Sequence, residues 1–141
     1  MIILGIDYGD ARTGLAVCDK FETLASPICV INEWNQEKLI EKIIDYISIY
    51  KAELLVVGLP KNMDSSLGSR AEKCIDFAQK LSEKSGIPYV MRDERLTTVS
   101  AYTALNNTNT RGKKRKEVVD SVAAVMILQD YIDYRKNNNE G

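Results

Sequence analysis

ELLVVGLP, residues 53–60, is a continuous apolar run closed by Gly58 and Pro60. A strand that is apolar at every position, with no alternation, is buried on both faces, as expected of a central parallel strand covered by helices on either side. The flanking sequence supplies such helices. Upstream, from Gln36 to Lys51, Leu39, Ile40, Ile43, Ile44 and Ile47 recur at helical spacing, with Glu37, Lys38, Glu41 and Lys42 on the other side. Downstream, Ser69 to Ser85 repeats the pattern with Ala71, Cys74, Ile75, Ala78 and Leu81, and stops at Gly86 with Pro88 two residues on. Glycine takes the left-handed conformation that closes a helix, and proline cannot continue one.

Further out, residues 2–8 and 13–19 are short apolar runs joined by Gly9-Asp10-Ala11-Arg12, a hairpin pattern. Leu24 to Ile31 is a third strand, and its Pro27 favours an edge position or a strand start. Ile87 to Arg92 reads as a further strand, and Thr97 or Thr98 can cap a short helix through Leu105. A polar stretch then runs to Gly112, followed by a long helix over about Arg115–Arg135 and the polar tail NNNEG. The order β-β-β-α-β-α-β-α-α, an initial meander followed by interleaved helices and buried strands, predicts one three-layer α/β domain with a mixed sheet.

The 141 residues, 45% hydrophobic and 28% charged, suit a single globular domain. The opening MIILGIDYGD has no basic n-region, and Asp7 breaks its apolar run too early for a signal peptide or a spanning helix. Cys18, Cys29 and Cys74 show no metal or redox spacing and read as buried free thiols in a reducing compartment. The expectation is a cytoplasmic protein with no membrane partner. Histidine is absent, which excludes Ser-His-Asp and Cys-His catalysis and any His-ligated zinc site. Hydrolytic chemistry would then fall to carboxylates, lysine, tyrosine or a hard metal ion. With a net charge of −1, a nucleic-acid partner would be held by local basic patches.

Three acids stand out. Asp7 interrupts an apolar strand where alternation sets it with Ile3 and Gly5 on one face; an aspartate tolerated beside a turn is the competing reading. Glu94 follows the C-terminal end of the strand 87–92, the edge where open α/β sheets bind ligands, or it is a solvated loop charge. Asp120 shares a helix face with Ala123, Ala124, Ile127 and Tyr131, so it lies on the apolar stripe. Its alternative is an acid favoured by the helix dipole. Together the three form a ligand set for Mg²⁺ or Mn²⁺, which take oxygen ligands and keep several waters. Two such ions about 4 Å apart can activate a water and stabilise a departing oxygen. In that arrangement Asp7 would bridge both ions, with Glu94 and Asp120 each holding one. RGKKRK, residues 111–116, places Lys113, Lys114, Arg115 and Lys116 where the helix dipole disfavours cations. A phosphate backbone would account for them there; a solubilising loop is the plainer reading. Arg12 and Arg95 lie beside two of the acids and could hold phosphates by bidentate contacts.

Read together, GIDYGDARTGLAVCD, VVGLPKNMDSS, RDERLTT and KRKEVVDSVAAVMILQDY resemble the bacterial YqgF family, also called RuvX, in order and spacing across nearly the whole chain. The resemblance implies an RNase H-like three-layer fold, a mixed five-stranded sheet flanked by helices. It also implies a single nuclease domain over 1–136, with 137–141 a polar tail. Family members are described as Holliday junction resolvases or as nucleases maturing the 5′ end of 16S ribosomal RNA. On that resemblance Asp7, Glu94 and Asp120 take the catalytic acid positions, and Arg12 and Arg95 fall within the motifs. Ser65 departs from the glycine that often follows Met-Asp in the second motif. The expected partner is pre-rRNA or branched DNA, and the expected state a monomer or homodimer. Two rival readings remain at this point. GIDYG also opens sugar kinases and actin-like ATPases, which need two such lobes where 141 residues supply one. A non-catalytic nucleic-acid binder would keep the fold and use RGKKRK alone.

Overall fold

The computed structural model describes residues 1–60, 68–93 and 112–139, with residues 112–121 and 138–139 described by backbone only. The expected helix from Thr97 or Thr98 to Leu105, together with Glu94, Arg95 and the 61–67 loop, lies outside the described residues. Five strands, β1 (Ile3–Asp7), β2 (Arg12–Cys18), β3 (Ala25–Asn32), β4 (Leu54–Leu59) and β5 (Tyr89–Asp93), form one sheet in the order β3-β2-β1-β4-β5. The β1–β2 and β2–β3 pairs are antiparallel, while β4 runs parallel to both β1 and β5. The ELLVVGLP strand is therefore central and parallel, and every residue of it from Leu54 to Leu59 is buried.

Two helices, α1 (Gln36–Tyr50) and α2 (Ser69–Ser85), cover one face of the sheet, and α3 (Gly112–Asn139) covers the other. Leu4, Ile6, Leu15, Leu55 and Val57 meet Leu39, Ile43, Phe77 and Leu81 on the first face. Ile3, Ala16, Cys18 and Val56 meet Ala123, Ala124, Ile127, Leu128 and Ile132 on the second. The alternation of each strand thus feeds two cores, which is why β4 shows no polar face.

Helix ends follow local chemistry. The Asn35 side chain accepts from Lys38 N at 3.0 Å and caps α1, whose last turn closes on Lys51 in the left-handed region. Helix α2 ends on Gly86 with φ +75°, its N–H donating to the Ser82 carbonyl oxygen. The strand expected from Ile87 begins instead at Tyr89. Ile87 belongs to the turn: Ser82 Oγ donates to its carbonyl oxygen at 2.7 Å, its N–H is taken by Ser85 Oγ, and Pro88 has no N–H to offer. Helix α3 starts at Gly112, before Arg115, and runs past Arg135 to Asn139, since nothing in KNNN forces a stop. Cys18 and Cys74 are buried thiols and Cys29 is a partly buried one. Burial pushes the Cys18 thiol above its ordinary value. Among the described residues no helix is long and apolar enough to cross a membrane.

Candidate functional site

Strands β1, β4 and β5 run parallel and end together at Asp7, Leu59 and Asp93, so the described sheet has one C-terminal edge. Open α/β sheets bind ligands at this edge. Asp7, half-buried, is the last residue of β1. Alternation turns it, with Ile3 and Gly5, toward the α3 layer.

The neighbouring positions make room for it. Its partner in β2 is Gly14, and one step past the Ile6–Val57 pair of β4 stands Gly58. No side chain from either adjacent position crowds the carboxylate. On the same face, Arg12 lies two residues from Gly14, and Arg92 pairs with Gly58 from β5. Two arginines thus flank a glycine-Asp7-glycine strip.

The opposite face fixes the backbone that follows. The Tyr8 ring stacks on Phe77 with centroids 4.2 Å apart, and its hydroxyl accepts from Gln36 Nε2 at 3.4 Å. Arg70 Nη2, at the start of α2, donates to the Tyr8 carbonyl oxygen at 3.2 Å. Gly9 closes the hairpin because a Cβ there would run into the Arg12 carbonyl oxygen.

Helix α3 lies directly on β1. A Cβ at Gly5 would stand 2.7 Å from Leu128 Cβ and 3.1 Å from the Ala124 carbonyl oxygen, so only glycine admits the helix this close. The direction of α3 is set by its C-terminal half. Arg135 Nε donates to Glu22 Oε1 at 2.8 Å, and Glu22 Oε2 also takes the Met1 ammonium at 3.1 Å, beside the start of β1. Gln129 Oε1 accepts from Ala25 N at 2.8 Å, at the start of β3. Travelling toward the N-terminus of α3 is therefore travelling toward Asp7. Asp120 is one turn before Ala124, about 6 Å along the helix, and Asp7 is two residues past Gly5, about 6.6 Å along the strand. Asp120 and Asp7 thus lie on the same side of the Gly5–α3 contact, each a short way along its own backbone.

Of the acids named above, Asp7 alone has a described side chain; Asp120 is placed by its backbone, on the helix face of the buried Ala123, Ala124, Ile127 and Tyr131. Among the described residues no three His, Cys, Asp or Glu groups gather to hold a metal, as follows when two of the three acids stand outside that set. Lys113, Lys114, Arg115 and Lys116 occupy the opening of α3, beyond Asp120 along the same direction. Sequence reasoning missed Arg92 and Arg70. Arg92 Nε holds Asp130 Oδ2 at 2.6 Å, and its guanidinium lies 4.7 Å from the Tyr134 ring centroid, tying β5 to α3. The alternation of MRDER could have set Arg92 on one face with Glu94; nothing local to residue 70 points to Tyr8.

Comparisons with known proteins agree with this architecture. The RuvX family model, described as Holliday junction resolvase, matches residues 1–134. A Halothermothrix orenii protein named as a pre-16S rRNA nuclease is 45% identical over 135 residues, covering 96% of each chain. A Thermoanaerobacter pseudethanolicus protein of the same name is 41% identical over 138 residues, covering 97% of this chain and 99% of its own. In fold, the chain is similar to Thermus thermophilus RuvC in complex with a Holliday junction, with a TM-score of 0.62 at 14% identity, covering 98% of this chain and 97% of that one.

Proposed function

The chain belongs to the RuvX family, and from that premise we propose that it is a metal-dependent nuclease of the cytoplasm that hydrolyses phosphodiester bonds of structured nucleic acid, with 5′-end processing of pre-16S rRNA as its task. The observation that supports the site is the Gly5–α3 contact, which packs the helix carrying Asp120 closely on the strand that ends in Asp7. The donor chemistry fits a hard cation: the acids supply oxygen, and glycines on both sides of Asp7 leave space for an ion with its waters. Asp7, Glu94 and Asp120 would hold Mg²⁺ or Mn²⁺. Bound there, two ions supply an activated water and charge stabilisation for the departing oxygen.

The rest is the work of the chain's own groups. Arg12, from β2, lies on the Asp7 face of the sheet and serves to orient a flanking phosphate; Arg95, beside Glu94, serves the same end. The basic opening of α3, Lys113 to Lys116, grips the phosphate backbone without reading sequence. The Arg92–Asp130 pair keeps β5, which leads into Glu94, against the helix that carries Asp120.

A second reading, Holliday junction resolution, is favoured by the description of the matching family model. Asp7→Asn tests the proposal. The near-isosteric amide keeps the shape and removes a charge the metal requires, so cleavage of a pre-16S rRNA leader should be lost while the thermal melt stays in place. Wild-type cleavage by Asp7→Asn in a metal titration refutes the site. A parallel assay on four-way DNA separates the two substrates.

A further inference from the structure

β3 is an edge strand, paired only with β2 among the described residues. Its first half is blunted: Pro27 lacks an N–H, and the register shift opposite Leu15 and Ala16 leaves Ile28 without a partner. Its second half is open. Glu33 N donates to the Ala11 carbonyl oxygen at 3.0 Å, so the bonded pairs of this antiparallel ladder continue as Thr13–Ile31 and Leu15–Cys29. Val30 and Asn32 therefore turn their N–H and C=O groups outward.

Helix α1 lays a shelf beside this edge. Lys42, Asp45, Tyr46 and Ile49, at steps of three, four and seven, form a stripe separate from the core stripe Leu39, Ile40, Ile43 and Ile47. With β3 they line a cleft of about 590 Å³. Ile49 is 69% exposed and Trp34, two residues past the strand, 79%, both large apolar groups for a surface to leave uncovered.

We propose that this edge is a self-association surface, taken by β3 of a second copy of the chain in antiparallel register. A twofold axis at Ile31 sets Val30 opposite Asn32 of the copy, so outward-facing backbone groups meet their like and both sheets join. In that register Trp34 falls opposite the unpaired Ile28 of the copy. Glu33 falls opposite the copy's Cys29 and not opposite its own equivalent. The same axis brings the two α1 stripes together antiparallel, and a stripe carrying both Lys42 and Asp45 is complementary to itself in charge. Lys42 already leans toward this edge, where it holds Glu33 at 3.0 Å. The two Asp7 strands would then lie about 24 Å apart across five strand spacings, both α3 layers on one face.

The test is sedimentation velocity on the full chain across a range of concentrations, with variants. Val30→Pro removes an N–H that β2 does not use, and edge positions accept proline. It should leave the melt in place and raise the dimer dissociation constant at least about tenfold. Lys42→Asp and Asp45→Lys should each weaken the dimer, and the double swap should restore it; this arm decides the matter should Val30→Pro fail to fold. A wild-type chain that stays monomeric throughout overturns the proposal, including the case where an extended segment of another protein takes the edge. A dimer indifferent to all four variants overturns it too, since its interface then lies elsewhere.

Discussion

Gly5→Ala perturbs the contact on which both the fold and the proposed site depend. The added Cβ would stand 2.7 Å from Leu128 Cβ and 3.1 Å from the Ala124 carbonyl oxygen, neither of them the free end of a flexible side chain. Carbon atoms rest at about 3.5–4.0 Å, so α3 must lift from β1 by about 1 Å. Overpacking of this kind costs about 1–3 kcal/mol. Unfolding entropy of about 2.1 cal/mol/K per residue amounts to about 0.3 kcal/mol/K for a chain this long, so Tm should fall by about 3–10 °C. Activity should fall further than stability. Lifting α3 carries Asp120 away from Asp7, and a displacement near 1 Å in catalytic geometry costs about 10²-fold. Calorimetry gives the first quantity, and single-turnover cleavage at saturating Mg²⁺, well below the variant's Tm, gives the second. An unchanged Tm together with an unchanged rate would refute the close packing of α3 on β1 and the site built upon it. A lowered Tm with an unchanged rate would keep the packing and remove Asp120 from the chemistry.

Asp120→Asn should abolish cleavage and leave a chelator-treated protein at least as stable as wild type, because a carboxylate on an apolar helix face is relieved; a large loss of Tm in chelator would mark the residue as structural. Replacing Lys113, Lys114, Arg115 and Lys116 with Gln should weaken binding to every sequence tested and flatten log affinity against log salt by roughly three to four on duplex, measured in an Asp7→Asn background. An unchanged slope would remove the basic run from the interface. The hydrogen bond from Arg135, aided by the Met1 ammonium, holds the Glu22 carboxyl below its usual range. Its folded pKa is therefore lower than its unfolded one, so its stabilisation is present above about pH 4.3 and is lost as pH falls through the folded value. Tm of the wild type should drop more steeply than that of Glu22→Gln on acidification below about pH 5; parallel curves would show that the pair contributes nothing. A double-mutant cycle on Arg92→Ala and Asp130→Ala should return a coupling of about 1 kcal/mol in chemical denaturation, and additivity would dissolve the tie between β5 and α3.

Local chemistry by itself determined the elements. The unbroken apolar run of β4, the span of α2 with its Gly86 stop and the edge position favoured by Pro27 all depend on neighbours within a few residues, and the structure keeps each. Asp7, Ile3 and Gly5 could be set on one face by the period of a strand alone. Tertiary structure decided what covers that face. The meeting of Gly5 with Ala124 and Leu128 joins positions far apart in the chain, and no pattern near residue 5 names its partner. Arg70 reaches Tyr8 across 62 positions and Arg92 reaches Asp130 across 38, so each of these arginines looks like an ordinary charge until the layers close. Ile87 reads as strand because its apolar character continues that of the run ahead, yet two serines claim its N–H and carbonyl and hold it in the turn. Periodicity reports which side of an element is apolar; only packing selects the surface that side meets, and the site proposed on β1, β2, β5 and α3 requires those surfaces to have met.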